Sequence, residues 1–140
     1  MYVVDASVWV GRFIPSDAHH RASHAWLEKQ VDQGEPLVAP VLLLPELAGA
    51  MARRTGLSDV ATRVVALVQR LPNIRLVPVD PTLAQLSAEL ASQLHLRGAD
   101  AVYAALAQRL GVPLLTWDQE QQERARPRVR VLTPAEALNN

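Results

Sequence analysis

The chain has 140 residues, a formal net charge of zero and no cysteine. The missing cysteine excludes disulfides, thiolate metal sites and cysteine nucleophiles together, so any metal must be held by oxygen or imidazole. Hydrophobic residues make up 49% of the chain, enough to pack the core of one domain over 1–140. No apolar run approaches the ~20 residues of a membrane-spanning helix, which leads us to expect a soluble, cytoplasmic protein with no membrane partner.

In chain order, Tyr2 to Val4 reads as a short buried strand that runs directly into Asp5. Asp17 is placed to cap a helix from about Ala18 to Val31, which Gly34 ends. Leu37 to Ala39 forms a second strand. Pro40 opens a long apolar helical stretch, VLLLPELAGAMARR, with Pro45 in its first turn and Gly56 at its close. Ser58 caps the next helix, Asp59 to Arg70, whose valines and leucines recur at the helical period. Ile74 to Val79 is a third strand. Asp80 at N-cap and Pro81 at N1 start a helix that Gly98 breaks. ADAVYAALAQRL forms another, ended by Gly111, and strand LLT follows. Val129 to Leu132 is a last strand, and Thr133 to Glu136 has the pattern of a capping box. Short strands, apolar on both faces and alternating with helices, predict an α/β fold with a parallel sheet covered on each side.

Such sheets place their sites at the carboxyl ends of the strands. Asp5 follows the first strand, and Asp118 follows strand LLT one tryptophan later. Asp100 opens the helix before that strand. A helix of about 12 residues travels ~18 Å, and a strand of about five returns ~16 Å, so Asp100 and Asp118 arrive at one edge. Glu46 lies in the first turns of the helix after the second strand, at the same edge. Four carboxylates in one cleft repel unless protonated or bound to cations. All-oxygen ligation selects a hard ion, Mg²⁺, Mn²⁺ or Ca²⁺. Such an ion can activate water for phosphodiester cleavage. The hydroxyls of Ser7 and Thr116, two residues from Asp5 and Asp118, are placed to orient a carboxylate or a water.

MYVVDASVWV, PELAGA and RGADAVYAALAQRLGVPLLTWD together resemble the PIN-domain ribonucleases, and among them the VapC toxins of bacterial toxin–antitoxin pairs. The likeness runs over essentially the whole chain, and DAVYAALA…GVPLLTxD is its most specific part. The resemblance implies a three-layer α/β/α sandwich. It places Asp5, Glu46, Asp100 and Asp118 in the family's acidic metal-binding and catalytic set, with Ser7 and Thr116 at its hydroxyl positions. It also implies a homodimer that cleaves RNA with Mg²⁺ or Mn²⁺, is neutralised by a VapB-like antitoxin, and reaches DNA only through that antitoxin. In-line attack by water would leave a 5′-phosphate. The region after the fourth aspartate, WDQEQQER, leaves the participation of Glu120 open.

Two other functions remain open from the residues. One is a catalytically weak module acting through its antitoxin and operator DNA. The other is a nuclease or phosphatase for other phosphate esters. Arg97, three residues before Asp100, is a candidate for holding the scissile phosphate, and the RARPRVR run for attracting RNA. His20 and His24 share a helix face, but without a third ligand they read as solvated. Tyr103 reads as packing. Trp9 and the segment Leu42 to Leu47 are candidates for gripping a partner helix. Asp80 reads as a helix cap, and Asp17 as a cap or surface residue.

Overall fold

The computed structural model describes residues 1–140. Five short strands, β1 (Tyr2–Val4), β2 (Leu37–Pro40), β3 (Ile74–Val77), β4 (Leu114–Leu115) and β5 (Val131–Leu132), form one parallel sheet in the order β3-β2-β1-β4-β5. Eight helices connect them: α1 (Ala6–Phe13), α2 (His20–Asp32), α3 (Leu43–Thr55), α4 (Ser58–Gln69), α5 (Pro81–Leu94), α6 (Gly98–Leu110), α7 (Gln119–Ala125) and α8 (Pro134–Leu138). The first two crossovers step from β1 towards β3, and the third returns past β2 and β1 to β4. Right-handed crossovers therefore put α1 to α4 on one face and α5 to α7 on the other. The packing agrees: α1 meets α2 and α3, α3 meets α4, while α6 meets α5, α7 and the sheet. The result is the expected three-layer α/β/α sandwich.

The direction of winding reverses between β1 and β4, which pair through Val3 with Leu114 and Val4 with Leu115. Such a reversal opens a crevice beyond the carboxyl ends of the two strands. Both strands are buried, as Val3, Val4, Leu114 and Leu115 are fully enclosed. On the return face, α6 lies close to the sheet because Ala101, Ala104, Ala105 and Ala107 give it a thin buried side.

Several local expectations are corrected. Asp5 does not merely end a strand: it is the N-cap of α1, a helix the sequence reading passed over. The apolar residues after Asp5 look equally like a buried strand, and only the cap distinguishes them. Asp17 does not cap α2, which begins after His19; its Oδ1 instead accepts from the His19 amide at 2.8 Å. Ser58 is the first residue of α4, and Leu57 is its cap. Gly98 opens α6 and does not break α5, which ends at His95 with φ 55°. Arg97 is the N-cap of α6, so Asp100 lies within the first turn. Trp9, Leu43 and Leu47 are core residues and cannot grip a partner. The caps at Asp80 and Thr133 form as expected, the latter with Glu136 in a full capping box.

Candidate functional site

Asp5 leaves β1 at the crevice. Its backbone amide donates to Leu115 O at 2.9 Å, which ties it to β4. The side chain is 6% exposed. Its Oδ2 accepts from the Ser7 amide at 2.9 Å and from Thr116 Oγ1 at 3.2 Å. Thr116 Oγ1 also accepts from the Asp118 amide at 3.0 Å and lies 3.3 Å from Ser7 Oγ, which accepts from the Trp117 amide at 3.0 Å. Since the Thr116 proton goes to Asp5, Ser7 is the donor to Thr116. The hydrogen bonds therefore run in one direction, from the Trp117 amide through Ser7 and Thr116 to the carboxylate.

This chain of donors opposes desolvation. Burial raises the Asp5 carboxyl above its ordinary range, the hydrogen bonds from Ser7 and Thr116 pull it back, and the charge of Asp118 adds to the rise. Glu46 lies in the first turn of α3. Its Oε1 accepts from the hydroxyl of the buried Tyr103 at 2.8 Å. Burial, joined by the charges of Asp5 and Asp100, lifts Glu46 to about 7 against that hydrogen bond. Asp100 is lifted to about 6 by burial and by the charges of Asp5 and Asp118, with Arg97 opposing. Asp118 caps α7, its Oδ1 accepting from the Gln121 amide at 2.7 Å.

Asp5, Glu46, Asp100 and Asp118 line one cleft of about 470 Å³. They arrive from β1, α3, α6 and the end of β4, at the crevice where the winding reverses. None of them is in an ion pair. The set consists of four hard oxygen donors with nothing cationic bonded to them, a chemistry that fits a hard divalent ion. As the side chains stand, no group of three or more His, Cys, Asp or Glu is arranged to hold a metal ion. Tyr103, Thr116 and Gln121 each hydrogen-bond to one of the carboxylates.

The other candidates divide. Ser7 lines the cleft and Thr116 is buried behind it. Arg97 and Glu120 pair with each other at 3.4 Å, and Glu120 also pairs with Arg124; neither is part of the lining, although the charges of both act on Asp100. In the RARPRVR run, Arg124 donates to His95 O and Arg128 to Gln93 Oε1, which ties α7 to α5. Tyr103 packs as expected and also positions Glu46.

The sequence reading missed other residues of the lining. Asp17, His19, Arg53, Arg54 and Trp117 line the same cleft. Arg54 pairs with Asp17 at 3.1 Å. Partial burial works against the ionised Asp17, but the His19 amide and the Arg54 guanidinium outweigh it and hold the carboxyl below its ordinary value. The His19 ring stacks on Trp117 with centroids 4.0 Å apart and planes at 8°. Trp117 Nε1 donates to Ser23 Oγ at 2.8 Å. One signal was available: Glu46, Ala50 and Arg53 recur at three or four residues along α3, so they share a face.

No curated protein matches the chain in sequence. Solved structures do match in fold. VapC20 of Mycobacterium tuberculosis, a sarcin–ricin loop cleaving toxin, aligns with a TM-score of 0.72 at 19% identity, covering 88% of this chain and 94% of its own. FitAcB from Neisseria gonorrhoeae aligns at 0.73 and 22% identity, over 96% and 99%. VapBC2 from Rickettsia felis, bound to a DNA fragment from its promoter, aligns at 0.71 and 13% identity, over 94% and 97%. The family model of the PIN domain matches residues 2–127, nearly the whole of the sandwich described above, and the chain belongs to the PIN-domain family.

Proposed function

We propose that this protein is a divalent-metal-dependent endoribonuclease of the VapC toxin type, restrained by a cognate VapB-like antitoxin. The observation that carries the reading is the cleft itself: four carboxylates from four elements, none in an ion pair. Asp5, Glu46, Asp100 and Asp118 would hold Mg²⁺ or Mn²⁺. When bound, such an ion lowers the pKa of water and neutralises charge that develops on a phosphate. The donors that converge on Asp5 favour its ionised form and partly offset the effect of burial, and a bound cation would complete that compensation. Tyr103 holds one oxygen of Glu46 and leaves the other without a protein hydrogen bond, at a residue that lines the cleft. Gln121 links two acids, as its backbone amide donates to Asp118 Oδ1 at 2.7 Å and its side-chain Nε2 donates to the Asp100 backbone O at 3.3 Å. Water attack in line would leave a 5′-phosphate and require no 2′-hydroxyl nucleophile, so the preference for RNA would come from binding.

Support for the partners comes from the fold neighbours, which include a toxin–antitoxin complex, a DNA-bound VapBC and a VapBC2 bound to a promoter fragment. By that likeness the protein would meet DNA through its antitoxin; the homodimer rests on the family resemblance. The test uses purified protein with labelled single-stranded RNA, single-stranded DNA and a chromogenic phosphate monoester, each with Mg²⁺, Mn²⁺ or EDTA. RNA cleavage that leaves 5′-phosphates and stops with EDTA is the expected result; cleavage that persists in EDTA rejects the metal mechanism.

Because no three acids stand ready as a shell, a second reading is a catalytically weak module that acts through its complexes. Calorimetric titration with Mn²⁺ separates the two, since no binding at millimolar metal favours the module.

A further inference from the structure

The cleft has a second pole. Arg53 and Arg54 are adjacent in sequence, and both line it. They are not equivalent. Arg54 is engaged by Asp17, and Asp17 in turn holds the His19 amide, so this arginine fastens the segment that carries His19 over Trp117. Arg53 has no ion pair and no hydrogen bond to any acid. Its side chain runs back along α3, and Nη1 lies 3.1 Å from where a Cβ on Gly49 would stand. Gly49 is three residues from Glu46, ~4.5 Å along the helix axis. The absence of a side chain at Gly49 leaves room for the guanidinium beside the helix, and Arg53 lines the cleft with the acids. In the same cleft, His19 is exposed and backed by Trp117, which Ser23 and Ser7 fix through its indole and its amide.

A free guanidinium suits a phosphate, which it can grip bidentately. An exposed ring on a rigid aromatic backing suits a base, because every base has a π-face. We propose that Arg53 and the His19–Trp117 stack form a subsite for the nucleotide next to the scissile phosphate of a single-stranded RNA. Arg53 takes the phosphate of that nucleotide and His19 stacks on its base, while Arg54 is a positioning residue. The proposal rests on the nuclease reading and adds to it where the flanking nucleotide binds.

The test is binding, not turnover. Fluorescence anisotropy is recorded on the full chain with a labelled single-stranded RNA in Ca²⁺, over a series of salt concentrations. Arg53→Gln is expected to weaken binding roughly 10-fold and to lower the salt slope by about one ion, as loss of one phosphate contact does. His19→Ala is expected to weaken it at least ~5-fold, and this loss should vanish on an RNA with one abasic position next to the cleaved bond. Arg63→Gln, on the exposed side of α4, controls for net charge, and Arg53→Lys should recover part of the affinity. Circular dichroism of each variant checks its fold. Wild-type-like binding by folded Arg53→Gln and His19→Ala overturns the subsite and leaves the nuclease reading standing. Failure of the wild type to bind or cleave RNA overturns both. Unchanged RNA affinity with lost antitoxin affinity in Arg53→Gln would assign the arginine to the protein partner and reject the subsite.

Discussion

Asp5 is stabilised in its charged form by three short links, the Ser7 amide, Thr116 Oγ1 and, behind Thr116, Ser7 Oγ. Burial works in the opposite direction and prevails. An isosteric amide removes the charge and keeps the shape. Asp5→Asn is therefore expected to reduce RNA cleavage to background while the metal-free protein melts no lower than the wild type. A clear loss of melting temperature with normal cleavage would reverse the assignment. Tyr103→Phe removes the donor that steadies Glu46. Such supporting bonds are worth ~10- to 100-fold in metal affinity or activity. The variant should bind Mn²⁺ more weakly by calorimetry. The acidic limb of its pH–rate profile should move to higher pH, because the hydrogen bond now lowers the Glu46 pKa. An unshifted limb would show that the hydroxyl only packs.

At the scale of elements, two aspartates do the same local work for different ends. Asp80 caps α5 by accepting from the Leu83 amide at 2.8 Å, and Asp118 caps α7 by accepting from the Gln121 amide at 2.7 Å. Only Asp118 also lines the cleft. Alanine at either position should cost ~1 kcal/mol of stability, the usual value of an N-cap, measured by urea unfolding. Asp80→Ala should leave cleavage unchanged, whereas Asp118→Ala should abolish it. Equal cleavage by the two variants would mean that Asp118 is a cap and nothing more. The same comparison explains why capping and site roles were not separable in the sequence. A carboxylate at a helix start is satisfied locally in both cases, and only the strand order decides which helix start faces the crevice.

For the whole molecule, the gathered acids make stability depend on pH in a direction opposite to ordinary acid denaturation. Glu46 rises from 4.5 to about 7 and Asp100 from 3.8 to about 6. A carboxyl raised on folding contributes stability in its protonated form, fully below the unfolded pKa, and loses it as pH climbs through the folded one. In EDTA, the melting temperature should therefore fall as pH rises from about 4.5 to 7. Glu46→Gln should flatten that fall. Saturating Mn²⁺ should raise the melting temperature more at pH 7.5 than at pH 5.5, since the ion competes with protons for the same oxygens. Parallel curves for the wild type and Glu46→Gln in EDTA would place the pH dependence elsewhere. No helix is long and apolar enough to cross a membrane.

Much of the frame was legible in the chain. Alternating short apolar strands and periodic helices determined a parallel sheet with helices on both faces, because backbone hydrogen bonding and apolar burial leave few other solutions. The placement of Asp5, Glu46, Asp100 and Asp118 at one edge followed from their positions after strands and, for Asp100 and Asp118, from element lengths. Helix α1 was hidden, since a run such as Ala6 to Phe13 satisfies strand and helix patterns alike until its cap is seen. The part of the lining formed by Asp17, His19, Arg53 and Trp117 was hidden for a different reason. Those residues come from loops and helix ends whose directions depend on how α1, α2 and α3 pack. Whether an exposed arginine is solvated or faces a cleft is set by that packing, and no local pattern encodes it.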